Sequence, residues 1–192
     1  MGPETFLPSL EIAGPVGQLS SSETFYYPWP IMIRTGDVAP DFQAPSSTGA
    51  TLRLSEHRGK HVVLYFFPKA FTTGCTIETK QFRDAAPELR DLGAEVVGVS
   101  SDGVDSHEAF VAKHRLPFIL LSDPKGAVRA AYGIQRTLGI IDGRVTFVLD
   151  RKGVVRMAFS SQIRPKKHVE EAVPGIGRFP SCGAEPGSYS RR

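Results

Sequence analysis

The stretch FFPKAFTTGCTIE, residues 66–78, sets Cys75 between a run of apolar residues and the start of a helical spacing pattern. A cysteine there is either a small buried residue at a strand–helix junction or a nucleophile. If a helix begins near Thr73, Cys75 lies in its first turn, where unpaired backbone N–H groups and the helix dipole favour an anion. Such a position draws a thiol pKa down from about 8.5 toward neutrality, and the thiolate is the nucleophilic form. Glu78 would sit one turn further on the same face and oppose that shift. The local residues therefore require a cation from elsewhere in the chain.

The surrounding elements are legible from periodicity. HVVLYFF (61–67) is a continuous apolar run, as expected of a strand buried on both faces. After Cys75, apolar residues recur at helical spacing through Leu92; Pro87 predicts a kink or restart, and Gly93 the end. AEVVGVS (94–100) reads as a second buried strand, SHEAFVAKH as a helix with Ser106 as its N-cap, and PFILLSD as a short strand. GAVRAAYG reads as a short helix. RVTFVLD and VVRMAFSS flank Arg151-Lys152-Gly153, a hairpin signal, and PKKHVEEAV begins a final helix at Pro165. Upstream, DFQA and ATLRL are short strands joined by a Ser/Gly turn. Alternating strands and helices followed by a hairpin predict an α/β domain with a mixed central sheet.

The expected organisation is an N-terminal extension over 1–35, partly disordered, a domain over 36–174, and a flexible tail over 175–192. Residues 1–33 contain no Lys or Arg and are broken by Pro, Gly and Ser, so they fit neither a secretory signal nor an Arg-rich transit peptide as they stand. The aromatic piece FYYPWPIMI could dock on the domain. The 192 residues carry 23 basic and 20 acidic side chains, spread without a like-charge run, which argues against a nucleic-acid surface. No apolar run is long enough to span a membrane. Two cysteines make no disulfide framework, and the five scattered histidines (57, 61, 107, 114, 168) make no metal motif; each is read as an exposed or capping residue.

Pro68, Thr72 and Cys75 stand in the P-x-x-x-T-x-x-C spacing, and this constellation resembles the active site of the peroxiredoxins. GRVTFVLDRKGVVR looks like the strand that carries that family's active-site arginine, which falls on Arg144. AEVVGVSSD and LPFILLSDPKGAVRAAYG are similar to the peroxiredoxin Q (bacterioferritin comigratory protein) branch. Each residue alone has an ordinary use: Pro68 as a strand end, Thr72 as an N-cap, Arg144 as a solvent-facing strand residue. The resemblance spans roughly residues 36–173.

It implies a thioredoxin-like fold with an N-terminal β-hairpin and a thiol-dependent peroxidase that needs no metal, haem or flavin cofactor. Cys75 would attack the peroxide, with Arg144 as the missing cation, Thr72 aligning the O–O bond and Pro68 shielding the pocket. Glu78 and backbone N–H groups near Gly74 would support the site. The implied partners are a hydroperoxide and thioredoxin, glutaredoxin or another thiol reductant. The expected state is a monomer, with a dimer as alternative, in the cytoplasm or a plastid or other organelle lumen rather than secreted. A peroxide sensor or thiol relay, or a non-catalytic thioredoxin-fold binding module, are the rival readings. Many members of the branch carry a resolving cysteine five residues after the first; here that position is Lys80, leaving an external thiol or Cys182 in the tail to reset Cys75.

Overall fold

The computed structural model describes residues 32–137, 139 and 141–177. Cys182 and residues 25–31 of the aromatic piece lie outside the described residues; Met32 and Ile33 pack against the core.

The centre of the fold is β3 (His61–Phe66), whose six residues are all buried. It pairs in parallel with β4 (Ala94–Ser100), which pairs in parallel with β5 (Ile119–Ser122). On its other side β3 runs antiparallel to β6 (Val145–Leu149), and β6 antiparallel to β7 (Val155–Ser160), giving the order β5-β4-β3-β6-β7. Parallel neighbours need a crossover. α1 (Thr73–Asp91) supplies one between β3 and β4, and α2 (Val104–His114) another between β4 and β5. A short α3 (Ala127–Ala131) precedes β6, and α4 (Pro165–Gly177) closes the described chain against α1. β1 (Gln43–Pro45) and β2 (Thr51–Arg53) form a separate antiparallel hairpin, turning through Gly49 at φ +80°, and a 3-10 turn follows at Leu54–His57.

The apolar run of β3 divides by its period of two. Val62, Leu64 and Phe66 face a layer built with the hairpin, α3 and Tyr132. Val63, Tyr65 and Phe67 face the layer of α1, α2 and α4, meeting Phe82, Phe110 and Ala172. Truncating one of these buried aromatics costs ~3–5 kcal/mol, so both faces are needed to hold β3 in place. Gly98 of β4 makes room for this packing: a Cβ there would lie 2.7 Å from the Tyr65 ring.

Four details differ from the sequence expectations. α1 does not restart at Pro87 but runs through it, and Pro87 sits on the exposed face, where water can replace the lost amide bond. α2 starts at Val104 with extended Gly103 as its N-cap, so Ser106 lies inside the helix. α4 runs on through Pro174 to Gly177 and buries Ile176. His61, His107 and His168 are buried rather than exposed or capping; for His107 and His168, hydroxyls in the interior supply the polar partners that burial demands.

Candidate active site

The chain leaves β3 at Phe66, passes through Pro68 and enters α1 at Thr73, so the strand end and the helix start fix the intervening loop from both sides. Phe71 in that loop has φ +62°, a conformation that costs a bulky residue ~1–3 kcal/mol and needs outside support. Its ring lies edge-on to Phe110, centroids 4.9 Å apart, with Lys113 Nζ 5.3 Å from the ring centre. A carboxylate clamps the same loop: the Ala70 N–H donates to Asp102 Oδ2 at 2.7 Å. Ser100 Oγ donates to the same oxygen at 2.7 Å. With its proton committed there, Ser100 must accept from His107 Nε2, 2.7 Å away.

Thr72 takes the N-cap position of α1, but its hydroxyl does not cap the helix. It donates to the Lys69 carbonyl at 2.9 Å rather than to sulfur, leaving the oxygen's lone pairs as acceptors. Cys75 lies in the first turn, 1% exposed, beneath exposed Phe71, Thr72 and Thr73. The N–H groups of this turn have no intrahelical partner by geometry.

Arg144 arrives from the other side, one residue before β6, and is itself buried. Its Nη2 donates to Cys75 Sγ at 3.2 Å, and its Nη1 donates to Glu78 Oε2 in a buried ion pair. Gly74 lets the guanidinium come this close, since a Cβ there would stand 3.3 Å from Nη2. Burial raises the Glu78 carboxyl above the ordinary carboxylate range, against the pull of Arg144. Behind Glu78, His168 Nε2 donates to the Ser161 carbonyl (2.9 Å), so its Nδ1 accepts from Thr146 Oγ1 (2.8 Å) and stands 3.5 Å from Glu78 Oε1. Burial lowers the His168 pKa to about 4, and the imidazole is neutral.

Arg144 thus joins Cys75 and Glu78 through its two terminal nitrogens, Gly74 borders them, and Thr72 and Pro68 precede them on the loop. Lys80 is exposed, about one and a half turns beyond Cys75 on α1. Asp102, Ser100, His107, Thr146 and His168 escaped the sequence reading. The only prior signal for the first three was a Ser-x-Asp closing an apolar strand with a histidine on the helix after it. Among the described residues, no group of three or more His, Cys, Asp or Glu side chains could hold a metal ion.

Residues 35–158, which include Pro68, Thr72, Cys75 and Arg144, match the AhpC/TSA family. The chain belongs to that family. It is 44% identical over 142 residues to the chloroplastic peroxiredoxin Q of Populus jackii, covering 73% of this chain and 67% of the relative. The chloroplastic peroxiredoxin Q of Triticum aestivum is also 44% identical over 142 residues, covering 73% and 65%. The match thus spans about two thirds of the length of these plant relatives. Among solved structures, peroxidoxin BcpB from Mycobacterium tuberculosis superposes with a TM-score of 0.73 at 37% identity, covering 78% of this chain and 99% of that one. A mutant PrxQ from Xylella fastidiosa gives 0.71 at 28% identity, covering 77% and 97%. These likenesses make the fold, with its five-strand mixed sheet and N-terminal hairpin, thioredoxin-like.

Proposed function

We propose that Cys75 is the peroxidatic residue of a thiol-dependent peroxidase that reduces hydrogen peroxide and small organic hydroperoxides. The observation that carries this reading is the Arg144 guanidinium shared between Cys75 Sγ and Glu78. It supplies the cation that the sequence of α1 lacks.

The thiolate attacks one oxygen of ROOH. A sulfur–oxygen bond forms as the oxygen–oxygen bond breaks; sulfur is oxidised by two electrons, and the departing RO⁻ takes a proton to become water or an alcohol. Arg144 donates to the peroxide oxygens as charge moves onto them, together with the free N–H groups at Gly74 and Cys75. Thr72 accepts from the peroxide hydroxyl, its own proton being held by Lys69. Pro68 offers no N–H and limits water at the mouth. A cysteine only 1% exposed suits slender substrates.

Reset comes from an external thiol. Lys80 stands where a resolving cysteine would be, so an incoming thiolate attacks the sulfenic sulfur, hydroxide leaves as water, and a second thiol releases the mixed disulfide. The chloroplastic names of the plant relatives favour a plastid compartment over the cytoplasm. Among the described residues, no helix is long and apolar enough to cross a membrane.

Stopped-flow consumption of peroxide, with and without thioredoxin, tests the activity; single turnover without sustained consumption would favour the sensor or relay. Intact mass after one equivalent of peroxide tests the reset. We expect a dimedone-trappable sulfenic acid, with the sulfinic acid appearing as peroxide rises. A non-reducing product lighter by two hydrogens and absent in Cys182→Ser would transfer the resolving role to Cys182.

A further inference from the structure

Arg129 is a second buried arginine, 4% exposed, on the helix that precedes β6. Its Nη1 donates to the Gly143 carbonyl at 2.7 Å and its Nη2 to the Phe67 carbonyl at 3.2 Å. Those carbonyls belong to the residues immediately before Arg144 and Pro68. The β3–β6 ladder ends at the pair Phe66–Val145, so its hydrogen bonds stop one step short of both halves of the site. Where the ladder stops, a single planar guanidinium spans the gap.

Arg129 is itself firmly placed. Asp123 accepts from the backbone N–H of Val128 (3.2 Å) and Arg129 (3.0 Å), and the guanidinium lies 5.6 Å from the Phe66 ring centre. Among the described residues its nearest carboxylate, Asp142 Oδ2, is 3.9 Å from Nε, outside hydrogen-bond range. Burying a guanidinium costs several kcal/mol, and here its two close bonds go to neutral carbonyls rather than to an acid. That is poor use of a charge and good use of a rigid fork, whose donor spacing a flexible ammonium cannot reproduce.

We propose that Arg129 is a positioning residue that fixes the separation between the Pro68–Cys75 loop and Arg144, and with it the 3.2 Å contact between Arg144 and sulfur. The proposal rests on the peroxidase reading. Peroxide attack needs sulfur, Thr72 and Arg144 in register at once, whereas alkylation needs only an accessible thiolate.

The test compares the wild-type chain, Arg129→Lys and Arg129→Met by the rate of peroxide reaction, the rate with iodoacetamide, and thermal unfolding. Lysine keeps the charge and loses the fork; methionine keeps much of the volume and loses both. In both variants the peroxide rate should fall at least ~tenfold, since displacements of an ångström at a reacting centre have effects of that order or larger. Alkylation, compared at a pH high enough to ionise the thiol in every variant, should stay within about twofold, because no transition-state alignment is involved. A lysine variant that matches wild type would show that charge alone is used, and would overturn the proposal. So would a parallel fall of both reactions, or failure of both variants to fold, either of which assigns Arg129 to the scaffold. Should only methionine fail to fold, lysine decides. A wild-type chain inert to peroxide would instead sink the peroxidase reading.

Discussion

The two sides of the candidate site are held by different physics. On the loop side, Asp102 uses a carboxylate oxygen to accept from the Ala70 N–H and the Ser100 hydroxyl, with neutral His107 completing the chain. Every contact there fixes a position, and among the described residues no formal cation faces the carboxylate at hydrogen-bond distance. On the arginine side, Glu78 and Arg144 form a buried ion pair, with neutral His168 and Thr146 behind it. A buried pair is costly to desolvate and contributes little net stability, but removing one partner strands the other charge. The loop side therefore sets geometry, while the arginine side sets charge, and the two should fail differently.

The largest effect is expected on the arginine side. Arg144→Ala should slow both peroxide reduction and alkylation at neutral pH, the former by at least ~tenfold, or about 1.4 kcal/mol of transition-state stabilisation. It should also lower stability by ~3–5 kcal/mol, because Glu78 is left buried without its counter-charge. Adding Glu78→Gln should recover much of the stability and none of the peroxidase rate. If stability does not recover, as measured by denaturant unfolding, the ion pair is not what Arg144→Ala disrupts.

A smaller and more selective effect belongs to the loop side. Thr72→Val deletes the hydroxyl while keeping the shape, and should lower the peroxide rate by about five- to tenfold, the worth of one hydrogen bond made in the transition state. Alkylation of Cys75 should change little, and Thr72→Ser should restore most activity. Equal loss in both reactions would leave Thr72 only its bond to the Lys69 carbonyl, and would erase the contrast between the two sides.

The subtlest test uses pH. The folded-state pKa of His168, about 4, lies below its ordinary 6.5, so its contribution to stability is complete above pH 6.5 and is lost as pH falls toward 4. Glu78, raised by burial, works in the opposite sense, but it is present in any comparison of wild type with His168→Gln. Between pH 6.5 and 4 the wild type should therefore lose up to ~3 kcal/mol more stability than the variant. Unfolding curves of parallel slope against pH would place the neutral imidazole elsewhere.

What the sequence by itself determined is local. The continuous apolar run of residues 61–67, the helix opening at Thr73, the turn at 151–153 and the P-x-x-x-T-x-x-C spacing are written in consecutive residues, because such patterns act over a few neighbours. They are enough to place Cys75 on a helix start and to demand a cation from elsewhere. Only the tertiary structure decided which groups answer one another across the sheet. Arg129 looked like any residue of a short helix, His107 and His168 like exposed or capping histidines, and Asp102 drew no reading between a strand and a helix. Their roles arise from partners that are 14, 7, 22 and 32 residues away: Gly143, Ser100, Thr146 and Ala70. No periodicity encodes such a pairing. A buried polar group is stable only where a partner meets it, and that partner is chosen by how the strands and helices pack.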